Sequence, residues 1–439
     1  MTPAQLAELT QQLAVTLRHA QRLTTYYSGE TSDFARLNHN RIRQSGQVTQ
    51  HYLTIELIEG QRHLNASTTL TGEAARDQTA ARELLRRLQE RLAFVPEDPY
   101  LNLPETATRS ETRQPGTLPE PAHALADLTQ AATGLDLVGF FASGEIARGM
   151  ADSLGSLHWH ASQSFNLDWS CHLDDARAVK NSYAGFQWDR AVLNEKLEHD
   201  RATLRQLELP MITLEPGRYR AFLTPAALHE LLDMLGWGDL GCKSQRTRQS
   251  ALLQLIDGER ALSPKVTAFE NHPRGLAPSF TPQGFVTARP VPLIERGQHR
   301  GALVNPRSAK EYELAVNSPS EAPAALEMEA GTLANADALA ALDTGLYVSN
   351  LWYCNYSDRN HGRITGMTRF ATRWVENGVV RGPISVMRFD DTLYRILGEY
   401  LLDLTAEREL LLDPGTYGGR STASALLPGA LLSEFELTL

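Results

Sequence analysis

The chain has only three cysteines in 439 residues, Cys171, Cys242 and Cys354. They lie far apart and form no CxxC pair, so neither a disulfide framework nor a cysteine-rich zinc module is indicated, and reduced thiols are expected. No hydrophobic run approaches the roughly 18 residues that a membrane-spanning helix requires, which argues against a membrane protein. The opening MTPAQLAELTQQL carries acidic and amide groups where a secretory signal has a basic segment and an apolar one, so a cytoplasmic location is expected. Basic charge is in deficit. Lys and Arg number 42 against 52 Asp and Glu, a formal net charge of -10, which disfavours binding to nucleic acid or anionic lipid because both need a basic surface. The two arginines of QRTRQS, Gln245 to Ser250, read as a solvated loop or helix face. A GxSxG elbow, a Walker A loop, a Rossmann GxGxxG and an internal repeat of fixed period are all missing, so the simplest hydrolase and nucleotide readings lack support.

What the chain does contain is an ordinary globular mixture along its whole length, 42% hydrophobic and 21% charged, enough for two or three domains. Thr2 reads as the cap of a first helix, with Pro3 at its first position and Leu6, Leu9, Leu13 and Leu17 at helical spacing. Between Gln47 and Ile58, Val48, Leu53, Ile55 and Leu57 read as one alternating apolar face. The turn Glu59-Gly60-Gln61 then leads a second run to Leu70, which predicts a hairpin. Leu84, Leu85, Leu88 and Leu92 predict a second helix within Asp77 to Val95. Five prolines from Pro96 to Pro119 predict a linker or long surface loop. A helix over Ala122 to Ala132 follows, then strands in LVGFFASGE and LHWHASQSFNLDWS. Further on, FVTARPVPLIERG, GLYVSNLWYCNY, RFATRWVENGVV and ISVMRF alternate or run apolar between turn residues, with Glu376-Asn377-Gly378 as a hairpin turn. The fold class expected is α+β: N-terminal α/β layers of helices on a mixed sheet over residues 1–105 and 106–216, packed together as one domain, then a β-rich C-terminal domain over 217–439.

The most suggestive chemistry is His229-Glu230, in the helix TPAALHELLDMLGW capped by Thr224 and Pro225. In HExxH zinc peptidases two histidines one turn apart hold the metal and the Glu acts as general base. Here Asp233 stands four residues on, so a two-ligand platform of His229 and Asp233 is geometrically allowed, against the plainer reading of an exposed polar face opposite Leu228, Leu231, Leu232 and Leu235. His158 and His160 share one side of a strand and could chelate a metal, though histidines on a solvated sheet face are the commoner case. Cys171 and His172, adjacent on a strand, point to opposite faces and make a poor nucleophile and base pair. Cys354 reads as a small buried hydrophobe.

Several long segments, in order, resemble the TldD/TldE (PmbA) family. PEDPYLNLPE, from Pro96 to Glu105, is similar to its PEDPYxGL segment. VGFFASGEIARGMADSLGSLHWHASQSF is similar to its middle region, with Asp152 where Asn is usual. EPGRYRAFLTPAALHELLDMLGW resembles the entry to its C-terminal domain. PQGFVTARPVPLIERGQHRGALVN and GRITGMTRFATRWVENGVVRGPI resemble two later patterns, the second of TldE type. In TldD subunits the resemblance implies an HExxxH zinc motif on this helix. Its first two positions fall on His229 and Glu230, but its second histidine falls on Met234, and the third ligand, a cysteine in a Gly-rich segment, falls near Tyr417. A thioether is a poor zinc donor, and one histidine cannot hold a catalytic zinc. The resemblance therefore implies a TldE/PmbA-like subunit without a metal or other cofactor of its own, with no confident catalytic residue. Zinc would belong to a TldD-like partner, and the pair would act on unfolded peptides or peptide precursors. Pairing with a second copy, a self-sufficient metal-dependent peptidase using His229 and Glu230, and a non-proteolytic protein-binding regulator stay open as alternatives.

Overall fold

The computed structural model describes residues 1–287 and 289–439; Ala288, inside the FVTARPVPLIERG stretch, lies outside the described residues. The chain is α+β. It opens with α1 (Pro3–Ala14), whose cap is reciprocal: the Thr2 hydroxyl accepts from the Gln5 amide at 3.2 Å and the Gln5 side chain accepts from the Thr2 amide at 2.8 Å. Leu6, Leu9 and Leu13 are buried, whereas Leu17 lies past the helix end and only packs against its core.

Four long strands follow the same path back and forth: β1 (Gln21–Asn38), β2 (Arg41–Glu59), then, after β3 (Arg62–Thr69), α2 (Ala74–Arg91), β4 (Arg109–Gln114) and α3 (Pro121–Ala131), β5 (Asp136–Asp152) and β6 (Leu157–His172). With β7 (Ala178–Gly185) they form a seven-stranded sheet in the order β3-β2-β1-β5-β6-β4, β7 also pairing with β6. The predicted hairpin is β2–β3, with Tyr52 opposite Thr69 and Glu59 opposite Arg62. Leu53, Ile55 and Leu57 are fully buried on its inner face, but Val48 is one residue out of that alternation and lies 39% exposed. The proline-rich stretch is not simply a linker. Arg109–Gln114 joins the sheet as a strand parallel to β6, a polar and largely exposed segment held by its main chain rather than by apolar side chains.

One face of this sheet is covered by helices, α1 and α2 over one half and α3 with α4 (Arg190–Leu207) over the other. The opposite face carries buried polar groups: Thr24, Glu30 and Ser32 on β1, His158, His160, Ser162 and Ser164 on β6. Segments of the C-terminal half pack on that face. Among them Phe280 stacks on the His158 ring at 5.5 Å.

The C-terminal half begins with β8 (Gly217–Leu223) and α5 (Pro225–Asp233). Shorter strands follow: β9 (Ala268–Glu270), β10 (Val291–Glu295), β11 (Gln298–His299), β12 (Ala325–Met328), β13 (Gly345–Val348), β14 (Asn350–Asp358), β15 (Arg363–Arg369), β16 (Arg373–Glu376), β17 (Val379–Pro383), β18 (Arg388–Thr392), β19 (Leu401–Leu412) and β20 (Ser424–Leu437). They make a second sheet along β11-β10-β9-β12-β20-β8-β13-β16-β17, with β14, β15, β18 and β19 attached beside that path. β20 is its hub. It lies parallel to β12, antiparallel to β8 and β19, and touches β18 through Phe389 and Leu437. The predicted turn at Glu376-Asn377-Gly378 is present between β16 and β17, with φ of 51° at Asn377 and 73° at Gly378, the paired positive values that a two-residue hairpin turn demands. Among the described residues no helix is long and apolar enough to cross a membrane.

Candidate functional site

The helix α5 is built as its sequence predicts. The Thr224 hydroxyl accepts from the Ala227 amide at 3.2 Å and donates to the Ser349 carbonyl at 2.6 Å, which caps the helix and ties it to the segment between β13 and β14. Leu228, Leu231, Leu232 and Leu235 are all buried in the main C-terminal core. His229 is half-buried, while Glu230 and Asp233 are exposed at their outer surfaces. Burial pulls the His229 imidazole below its ordinary pKa, against Asp233 and Asp413, which raise it. Burial also pushes the Glu230 carboxyl up, helped by Asp233 and opposed by Lys180. Cys354 is half-buried against the same core, and burial, then Glu230 and Asp233, push its thiol up to about 12, so it is a protonated, unreactive group.

The two other expected positions are placed apart from this pair. The α-helix ends at Asp233, and Met234 opens a 3₁₀ turn with its side chain in the core, 2% exposed. Tyr417 stands wholly in solvent, in the segment between β19 and β20. The donor set here, one half-buried imidazole with carboxylates beside it, a core thioether and a solvent-facing phenol, does not fit a zinc ion, which takes four tetrahedral N, S or O ligands. Among the described residues no group of three or more His, Cys, Asp and Glu is gathered as a metal site.

Sequence reasoning missed Lys180 and Asp413, which approach α5 from β7 and from just beyond β19. A second cross-link, Lys196 of α4 to Glu409 of β19 at 2.6 Å, joins the same two halves. None of these contacts leaves a signal in a linear reading, because the partners stand far apart in sequence, 213 positions for Lys196 and Glu409.

His158 and His160 are not on a solvated face. His158 is fully buried, its two ring nitrogens bonded to the Ser110 hydroxyl at 2.7 Å and the Thr108 hydroxyl at 3.1 Å, so it serves as a structural link to β4. His160 is 4% exposed, and burial brings its imidazole down to about 4. Cys171 is fully buried beside Asp200, and burial pushes its thiol far above the ordinary range. Of the QRTRQS arginines, Arg248 is paired with Asp257 at 2.6 Å. Asp152 organises the β5–β6 turn, its Oδ1 accepting from the Leu154 and Ser156 amides at 2.9 Å each. The PEDPY segment is likewise ordered by use: Asp98 bonds to His63 at 3.3 Å and to Arg307, and Asn102 donates to the Pro306 carbonyl at 2.9 Å, which pins the segment to the C-terminal half.

Two α+β layers, a long-stranded sheet with buried polar groups on one face and a many-stranded sheet hung on β20, define the class. The family model of the PmbA/TldA metallopeptidase C-terminal domain matches residues 216–438, just over half of the chain. The chain belongs to this family, the TldD/TldE (PmbA) family that its sequence resembles. Solved structures with the same fold include TldE from Thermococcus kodakarensis, with a TM-score of 0.81 at 14% identity over 99% of this chain and 100% of that one. A candidate modulator of DNA gyrase from Thermotoga maritima gives 0.75 at 13% over 99% and 100%, and another from Bacteroides thetaiotaomicron gives 0.75 at 16% over 99% and 98%. At such identities the likeness establishes the fold alone. No curated protein matches the chain by sequence.

Proposed function

We propose that this chain is a noncatalytic TldE-like subunit of a TldD/TldE-type metallopeptidase that acts on unfolded peptides, with zinc held by a TldD-like partner. The observation that carries this reading is Met234. The position where a second zinc-binding histidine would stand holds a thioether, 2% exposed and packed in the core. Tyr417, fully exposed, supplies no ligand from the other side. His229 and Glu230 then act as polar groups on α5 rather than as ligand and base. A surface suited to extended peptide is present as well. Among the described residues, β2 from Arg41 to Thr49 pairs with β1 alone, because β3 begins its pairing opposite Tyr52, so the outer edge of that stretch offers main-chain donors and acceptors.

The test is elemental analysis of the purified chain, run beside His229→Ala. Metal below about a tenth per chain, unchanged by the substitution, is expected. A mixture with a TldD-like chain should then hydrolyse unfolded peptides that neither chain cleaves alone. About one metal per chain, lost in His229→Ala, would overturn the proposal and favour a self-sufficient peptidase. Pairing that leaves hydrolysis unchanged would favour a regulator.

A further inference from the structure

The segment from Asp413 to Ala423 leaves the β19–β20 ladder and returns to it, closed at its base by the Asp413 amide on the Ala423 carbonyl at 3.2 Å. It is rich in glycine, with Gly415, Gly418 and Gly419, and Gly418 has a φ of 88°. Near one end Asp413 acts on His229 of α5. Near the other, the chain reaches across to the polar face of the N-terminal sheet. Among the described residues, the hydrogen bonds that join this strap to that sheet come from two residues. The Gly418 carbonyl accepts from the Gln50 side chain at 2.8 Å, and Arg420 makes the rest.

Arg420 is 6% exposed. Its amide donates to Glu30 Oε2 at 3.0 Å. Its guanidinium spans one row of the sheet, in which Ser32 of β1, Gly144 of β5 and Ser164 of β6 are register partners. Nη1 donates to the Ser32 hydroxyl at 3.4 Å and the Gly144 carbonyl at 3.2 Å; Nη2 donates to the Ser164 carbonyl at 3.0 Å and its hydroxyl at 2.8 Å. A side chain at Gly144 would not fit, since a Cβ there would stand 2.1 Å from the Thr31 carbonyl oxygen. Thus a cation is taken out of water onto neutral acceptors, with Glu30, itself 6% exposed, as the nearby opposite charge. Such burial is costly when any partner is removed, so the contact is made fully or released.

We propose that Arg420 is a latch through which the N-terminal sheet holds the strap 413–423, whose base at Asp413 faces His229 of α5, so that releasing it frees the strap from that sheet. The strap carries its own flexibility in its glycines, and all but one of its hydrogen bonds to the sheet are made by Arg420. The latch rests on this geometry and stands whether or not the chain works in a peptidase.

Limited chymotrypsin digestion tests it, because Tyr417 is a fully exposed cleavage residue in the strap, and a protease needs its target segment to detach locally. Arg420→Ala is expected to speed cleavage after Tyr417 at least about tenfold, and to raise hydrogen exchange in 413–423 while amides of β1, β5 and β6 stay protected. Arg420→Lys, which keeps the charge but not the fork, should give an intermediate rate. Should Arg420→Ala fail to fold, Glu30→Gln decides, since it leaves the buried cation without its opposite charge and should loosen the same segment. Unchanged cleavage and exchange in the folded variant would overturn the latch. So would exchange that rises evenly over the whole chain, which marks a purely structural role.

Discussion

The two sheets of this molecule solve the same problem by different routes. In the N-terminal sheet, β1, β2, β5 and β6 run 16 to 19 residues each and pair in unbroken antiparallel registers over most of that length, the hairpins β1–β2, β2–β3 and β5–β6 joining neighbours in sequence. In the C-terminal sheet most strands are short, and its central path sets β20 between β12 and β8. The first sheet can be specified locally, by turns and alternation. The second has a hub that must be brought in from far along the chain, so its cohesion is concentrated in one strand.

The largest effect should come from breaking that hub. Leu432 of β20 is fully buried and faces Ala221 of β8 and Leu401 of β19. Leu432→Pro removes a ladder donor and a core side chain at once, a loss above about 3 kcal/mol. Hydrogen exchange should show residues 217–439 unprotected while β1, β2, β5 and β6 keep their protection. Collapse of protection in both sheets together would show instead that they form one cooperative unit.

A smaller effect, about 3 kcal/mol per group, should separate the two faces of the first sheet by pH. His160, on the face that the C-terminal half covers, has its imidazole lowered to about 4 by burial. Its contribution is present above the ordinary histidine pKa of about 6.5 and is lost as pH falls from there toward 4, because only the unfolded chain takes up the proton. Asp200, on the helix face, accepts from Trp169 Nε1 at 2.7 Å and Asn181 Nδ2 at 3.1 Å, yet burial raises it to about 6. Here the folded chain holds the proton more tightly, so the contribution weakens as pH rises from about 4 through 6. Denaturation midpoints from pH 4 to 8 should show His160→Gln removing part of the loss as pH falls from about 6.5 and Asp200→Asn removing part of the loss as pH rises from about 4 to 6. Identical profiles in variants and parent would mean that neither group's pKa changes on folding.

The smallest effect concerns the turns that set local register. Gly60, between β2 and β3, has a φ of 62° with open space around its missing side chain. Gly60→Ala should cost only about 1 kcal/mol in a urea melt, the price of a left-handed alanine. A cost several times larger would mean that the hairpin register depends on this turn more than the long β1–β2 ladder suggests.

How much of this was legible in the sequence follows the same division. The cap and stripe of α1, the β2–β3 hairpin, α5 with its Thr224 cap and the Asn377-Gly378 turn were readable because each is fixed by residues a few positions apart. β1 was not, because one of its faces is buried but polar, with Thr24, Glu30 and Ser32, and gives no alternation. β4 was hidden by its polar composition, and α4 went unread although Asp189 caps it and Leu193, Leu197 and Leu204 are buried on its inner side. At the candidate site the helix and its His229-Glu230 pair were legible. The approach of Asp413 and Lys180 was not, nor was the 390-residue separation that Arg420 spans to reach Glu30.

The position of β20 also bears on how the chain is made. β8 leaves the ribosome about 200 residues before β20, one of the two strands that will lie against it, and at 5–20 residues per second that is a wait of roughly 10 to 40 seconds. During that interval the N-terminal sheet can close, while β8, β12 and β13 emerge with apolar faces and open edges. Synthesis therefore leaves half a protein folded and half exposed, a period in which chaperone capture or aggregation decides the yield.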